Sequence, residues 1–138
     1  MKGKTIHEMA IGESASWSKT ICDADVTVFA QVSGDFNPVH VDEEFAKTTI
    51  FKNRIAHGML CGSLFSTILG TKLPGEGSIY ISQDLSFKKP VFLNDTITAT
   101  CTVKELQVER NRVIMETIAR NQNGDLVISG TAVLMPAK

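Results

Sequence analysis

The feature that most constrains this chain is a change of period near its middle. Residues Met59-Leu60-Cys61-Gly62-Ser63-Leu64-Phe65-Ser66-Thr67-Ile68-Leu69-Gly70 are apolar or small almost all round. A helix without a polar face is buried on all sides, and at this length it is a core helix and not a membrane span. Beyond Pro74-Gly75-Glu76-Gly77 the apolar positions recur every second residue. Ile79, Ile81, Leu85 and Phe87 alternate with polar neighbours, and Ile97, Ala99, Cys101 and Val103 alternate with Thr96, Thr98, Thr100 and Thr102. Period two marks half-buried strands. Two further β-rich runs, Arg112 to Arg120 and Leu126 to Met135, flank the hairpin residues Asn121-Gln122-Asn123-Gly124. An antiparallel sheet with one face to cover, preceded by one wholly apolar helix, predicts an α+β chain whose sheet curls around that helix. The pattern leaves the pairing order open.

Upstream, Thr20-Ile21-Cys22-Asp23 reads as a capping box with Thr20 at the N-cap, opening a helix with Val26, Phe29, Ala30 and Val32 on its apolar side. Gly34 stops that helix. Asp42 to Lys47 is a second, shorter helical turn.

The chain has 138 residues, 43% hydrophobic and 21% charged, which fits one ordered domain with a real core. A net charge of -1 provides no overall field for nucleic acid or an anionic membrane, so an anionic ligand must meet local cations. Cys22, Cys61 and Cys101 lack metal or redox spacing, and their odd number argues against a disulfide framework; a reducing, cytoplasmic setting is expected. The N-terminus has no apolar signal-peptide core, and no apolar run approaches membrane-spanning length.

Chemistry is concentrated in Ser33-Gly34-Asp35-Phe36-Asn37-Pro38-Val39-His40, where a carboxylate, an amide and an imidazole fall within six residues between two backbone breakers. A carboxylate and a histidine sharing one water are a means of proton transfer near neutral pH. Ordinary turns use the same residue types, and these eight residues alone fit either reading. A second motif is Ile55-Ala56-His57-Gly58-Met59, opening the apolar helix. Gly58, Gly62 and Ser66 follow at intervals of four, permitting either a ligand or tight sheet packing on that side.

Together with Leu85-Ser86-Phe87-Lys88-Lys89-Pro90-Val91-Phe92, these two motifs resemble the signature segments of the MaoC-like (R)-specific enoyl-CoA hydratases. The resemblance runs from about Thr20 to Met135, and is to the short single-domain members associated with polyhydroxyalkanoate precursor supply. It implies one hot-dog domain over residues 1–138, an antiparallel sheet wrapped around a central helix, assembled as a homodimer. It implies reversible (R)-specific hydration of short-chain trans-2-enoyl-CoA, with no metal or other cofactor. Asp35 and His40 become the catalytic pair, the Gly58 N–H the donor to the thioester oxygen, Asn37 a positioning residue, and Ser66 and Leu69 walls of the acyl pocket.

Such chemistry needs a base for water, an acid for C2 and polarisation of the carbonyl as enolate character develops. A helix opening at Gly58 offers free N–H groups and a favourable dipole, with no Cβ in the way. His57 is expected to cap that helix or orient the loop. Lys52, Arg54, Lys88 and Lys89 are the candidate cations for CoA phosphates. A metal site from His40, Asp42, His57 and Cys61 matches no compact motif. Cys61 lies in an apolar helix where a thiol stays protonated, and Ser63 lacks a nucleophile elbow. The rival functions are a hot-dog acyl-CoA thioesterase, which places a carboxylate on or near the central helix, and a non-catalytic acyl-CoA binding protein, which has no need of a water-activating pair.

Overall fold

The computed structural model describes residues 2–138. Its sheet is antiparallel throughout and is formed by β1 (Ser14–Thr20), β2 (Ile79–Gln83), β3 (Ser86–Phe87), β4 (Thr96–Gln107), β5 (Arg112–Arg120) and β6 (Leu126–Met135). The strands run β1-β4-β5-β6-β2, and β3 also pairs with β6. Four helices, α1 (Asp23–Ser33), α2 (Pro38–Val41), α3 (Glu43–Ala46) and α4 (Gly58–Thr71), fall between β1 and β2. The sheet wraps α4 as the periodicity predicts, giving the hot-dog fold. No helix among the described residues is long and apolar enough to cross a membrane.

Strict alternation decides which face of each long strand turns inward. Ile97, Ala99, Cys101 and Val103 of β4, with Val113, Met115 and Ala119 of β5, are fully buried. They meet Leu64, Phe65, Ile68 and Leu69 of α4 in one cluster. Each fully buried side chain of this size contributes roughly 1.5–3 kcal/mol.

Three expectations are corrected. The capping box belongs to Cys22 and Asp25, whose carboxylate accepts the Cys22 N–H at 3.0 Å; Thr20 is instead the last residue of β1, its hydroxyl 2.8 Å from that of Thr96. Val32 of the same helix is 82% exposed, because only Val26 and Ala30 lie on the buried side. The third correction concerns α4 and β2. The sheet encloses only one side of the helix, so Gly58, Met59, Ser63 and Ser66 remain exposed, as do Ile79, Ile81 and Phe87 on the strands beside them.

Candidate active site

Three backbone devices shape the loop from Ser33 to His40. Gly34 closes α1 at φ 81°, a left-handed conformation that glycine adopts without a Cβ penalty. Asp35 then makes an Asx turn, its Oδ1 accepting the Asn37 N–H at 3.1 Å. Asn37 in turn caps α2, its Oδ1 accepting the Val39 N–H at 3.3 Å, with Pro38 preset at the first helical position. The single turn thus started carries His40. Asn37 acts on His40 through the backbone.

His40 is buried, and its orientation is set by main chain. Its Nδ1 lies 2.7 Å from the Ile55 carbonyl, and an oxygen acceptor fixes the proton on that nitrogen. The neutral ring therefore presents Nε2 as a lone pair. Burial pushes the His40 pKa below its ordinary value; the Ile55 hydrogen bond opposes this, His57 adds to it, and Asp35 opposes it. Asp35 is exposed, and its carboxylate lies within 4.8 Å of a His40 ring nitrogen. Two hydrogen bonds of about 2.8 Å meeting at one water span a gap of that order, so the pair is spaced to share a water.

His57 precedes α4 at its N-cap but makes no side-chain cap bond. Its Nε2–H donates to the Asp35 carbonyl at 2.9 Å, so of the two roles expected for it, the structure assigns loop orientation. The ring is 2% exposed and stacks on His40 with centroids 4.0 Å apart, leaving its Nδ1 without a partner. Asp35, His40 and His57 thus come within ligand distance of one another. His40 Nδ1 and His57 Nε2 are each taken up by a backbone carbonyl, so each ring has one nitrogen left to offer. The set His40, Asp42, His57 and Cys61 is not assembled: the Asp42 carboxylate caps α3 by accepting the Phe45 N–H at 3.1 Å.

Beside the pair, α4 begins. The first intrahelical bond is made by the Cys61 N–H to the His57 carbonyl at 3.3 Å, leaving the N–H groups of Gly58, Met59 and Leu60 without an intrahelical acceptor. No acidic residue occupies this first turn to compete for them. The Phe87 ring stands against Gly58 so closely that a Cβ there would be 2.7 Å from it. A side chain at position 58 would thus have to displace the Phe87 ring.

Two cavities flank this helix start and share Met59. The first, of about 430 Å³, is lined by His40 and Gly58 with Phe51, Phe87, Lys88 and Lys89. The second, of about 540 Å³, continues along α4 past Gly62, Ser63 and Ser66 and is walled by Tyr80, Gln83 and Leu85. Ser66 lines it. Leu69, expected beside Ser66, is fully buried against the sheet and lines neither cavity.

Of the candidate cations, Lys88 and Lys89 reach the first cavity, and Lys89 lies 3.6 Å from Asp125. Arg54 is already engaged. Its Nε donates to the His40 carbonyl at 2.6 Å and its Nη2 pairs with Asp23 at 2.7 Å. The cation read as a phosphate contact instead holds the end of α2. The Cys61 thiol is pushed up to about 12 by burial, and Ser63 donates its hydroxyl to the Leu60 carbonyl at 2.5 Å, which leaves neither as a nucleophile.

Missing from the sequence reading were the Ile55 carbonyl, Phe87 and Gln83. A carbonyl carries no side-chain signature. Phe87 looks like one more apolar strand position until it is seen against Gly58.

A family model described as MaoC like domain matches residues 7–123. Over 128 residues the chain is 50% identical to the (R)-specific enoyl-CoA hydratase of Rhodospirillum rubrum, covering 92% of this chain and 88% of that protein. The unliganded R-hydratase PhaJ1 of Pseudomonas aeruginosa superposes with a TM-score of 0.93 at 44% identity, covering 99% of this chain and 88% of that one. The (R)-hydratase of A. caviae involved in PHA biosynthesis gives 0.91 at 45% identity, over 93% of this chain and 97% of that one. With a family model over most of its length and relatives of such identity and coverage, the chain belongs to the MaoC-like domain family.

Proposed function

We propose that this protein is a hydro-lyase that adds water to trans-2-enoyl-CoA with (R) stereochemistry, and removes it in reverse. The observation that carries the reading is the spacing of Asp35 and His40 across one water's width, beside the open start of α4. The relatives named (R)-specific enoyl-CoA hydratase support the substrate and the stereochemistry.

The thioester oxygen accepts from the Gly58 N–H, and the positive end of α4 stabilises charge as it moves onto that oxygen. Water donates to the two acceptors, the Asp35 carboxylate and His40 Nε2, with its lone pair aimed at C3. As the O–C3 bond forms, the π electrons shift toward C2 and the carbonyl. The pair takes the water proton and returns one to C2, so that it ends the cycle unchanged. Burial keeps His40 neutral and receptive at pH 7.

In this reading the first cavity receives the thioester and the pantetheine arm, with Lys88 and Lys89 toward the phosphates, and the second takes a short acyl chain beside Ser66. Asn37 positions the pair by capping α2. Leu69 supports the pocket from behind through the core. The whole chain acts as one cytoplasmic domain, supplying or consuming (R)-3-hydroxyacyl-CoA; the PHA hydratase relative supports a link to polyhydroxyalkanoate precursors. A second copy covers the exposed Ile79, Tyr80 and Ile81 on the edge strand β2, since an apolar unpaired edge is a template for association. Sedimentation should return a dimer.

Purified protein mixed with crotonyl-CoA tests the reaction when enoyl absorbance and free thiol are followed together. Loss of the enoyl signal without thiol is expected. Thiol release identifies a thioesterase and no change a binding protein, and either result overturns the proposal; an (S) product, read with a stereospecific dehydrogenase, overturns the stereochemistry. Rates rising steadily from four-carbon to twelve-carbon substrates overturn the short-chain assignment.

A further inference from the structure

The second cavity is closed at its strand side by a hydrogen-bonded relay of three side chains. Thr117 lies on the inner face of β5, between the apolar Met115 and Ala119, and is fully buried. A hydroxyl there needs a partner, and it has one: Gln83 Nε2 donates to Thr117 Oγ1 at 2.9 Å. The same Nε2 donates to the Asp84 carbonyl at 2.8 Å, and Gln83 Oε1 accepts from the Tyr80 hydroxyl. The amide is therefore satisfied at both ends and fixed in direction.

The backbone that carries it is also clamped. Asp84 donates its N–H to the Thr131 carbonyl at 3.0 Å and accepts the Thr131 N–H on Oδ1 at 3.1 Å. Its carbonyl sits over Gly130 so closely that a Cβ there would be 2.0 Å away. Gln83 is consequently a stiff group at the cavity wall, whereas Met59 at the other end is unbranched and adaptable.

We propose that Gln83, braced by Tyr80 and Thr117, is the residue that limits acyl-chain length. This rests on reading the second cavity as the acyl site. Ser66 is two helical turns beyond Gly58, about 12 Å along α4 at roughly 1.5 Å per residue. A short chain anchored at Gly58 ends before the relay. A longer chain must push Gln83 aside, which strands the Thr117 hydroxyl in a fully buried position and breaks the Tyr80 bond. An apolar wall of equal size yields by changing rotamer; this one yields only by losing hydrogen bonds.

The test is the ratio of kcat/KM for trans-2-dodecenoyl-CoA to that for crotonyl-CoA, in the wild-type protein, Gln83→Met and Thr117→Val. Methionine nearly conserves the volume of Gln83 but lacks its bonds, and Val nearly conserves that of Thr117. The ratio is expected to rise about tenfold in Gln83→Met, the worth of a buried hydrogen bond that need no longer be broken. Thr117→Val, which acts only through Gln83, shifts it the same way by less. An unchanged or reduced ratio in a folded Gln83→Met overturns the inference, and if that variant does not fold, the same result in Thr117→Val does so. Failure of the wild-type protein to hydrate crotonyl-CoA would instead remove the functional reading beneath it.

Discussion

The two sides of α4 are both without charge and do opposite work. On the enclosed side Leu64, Phe65, Ile68 and Leu69 are sealed against the sheet. On the other, Gly58, Met59, Ser63 and Ser66 face the cavities. A helix that is apolar all round looks, by its composition, like a single piece of core. What separates the sides is size, with large residues toward the sheet and mostly small ones toward the ligand space. The enclosed side holds the fold, and the open side positions N–H groups and empty volume where chemistry needs them.

That contrast predicts that substitutions divide into those that change rate and those that change stability. The largest effect should come from the catalytic loop: Asp35→Asn and His40→Gln each lower kcat/KM for crotonyl-CoA by about 10³-fold while the unfolding midpoint moves little. Near-normal turnover in either variant would break the assignment of the open side to catalysis. On the enclosed side, Phe65→Ala should destabilise the protein by about 3–5 kcal/mol in denaturant titration, with kcat of the folded fraction preserved. A folded Phe65→Ala that has lost its kcat would show that the two sides are not separable. Gly62→Ala is intermediate in kind. Its Cβ would meet Leu85 at 3.1 Å, offsetting the gain in helix propensity of about 1 kcal/mol, so stability should change by less than about 1 kcal/mol. The effect should appear as a higher KM, since the methyl narrows the second cavity.

The smallest effect concerns pH. The His40 pKa lies below the ordinary 6.5, mainly through burial. The folded protein therefore takes up this proton less readily than the unfolded chain, and the stability associated with the neutral ring is complete above 6.5 and lost progressively as pH falls below it. The acid limb of kcat/KM should fall below 6.5 as well, since the lone pair on Nε2 persists to lower pH. An acid limb above 6.5 would show that His40 is not the group that must be neutral.

Much of this was readable from the residues because the long strands obey a strict period of two. The inner face of β4 was evident from its apolar alternation, and β5 from its β-rich composition beside a hairpin. The strand β1 was not, because Ser14-Ala-Ser-Trp-Ser-Lys-Thr20 has no apolar stripe. It is joined to β4 by facing hydroxyls, Ser16 with Thr100 at 2.9 Å and Ser18 with Thr98 at 2.7 Å, and such pairs leave no hydropathy signal. Thr20 belongs to that ladder, which is why it was mistaken for a helix cap. The resemblance supplied Asp35, His40 and Gly58 as candidates; His40 and Gly58 line one cavity, and the Asp35 carboxylate lies within 4.8 Å of a His40 ring nitrogen. The engagement of Arg54, one of the four candidate cations, was not legible either, because a bond to a backbone carbonyl leaves no motif in the sequence.

The bond from His40 to the Ile55 carbonyl also separates two roles of one residue. The tautomer on which the proposed chemistry depends is specified by main chain, and a main-chain carbonyl is offered by every amino acid. Ile55 is further tied to this segment by its own N–H, which donates to the Val39 carbonyl at 3.2 Å. The protonation pattern of the neighbouring histidine is thus insensitive to the side chain at position 55, proline excepted, and the Ile55 side chain is left to its separate task of lining the first cavity.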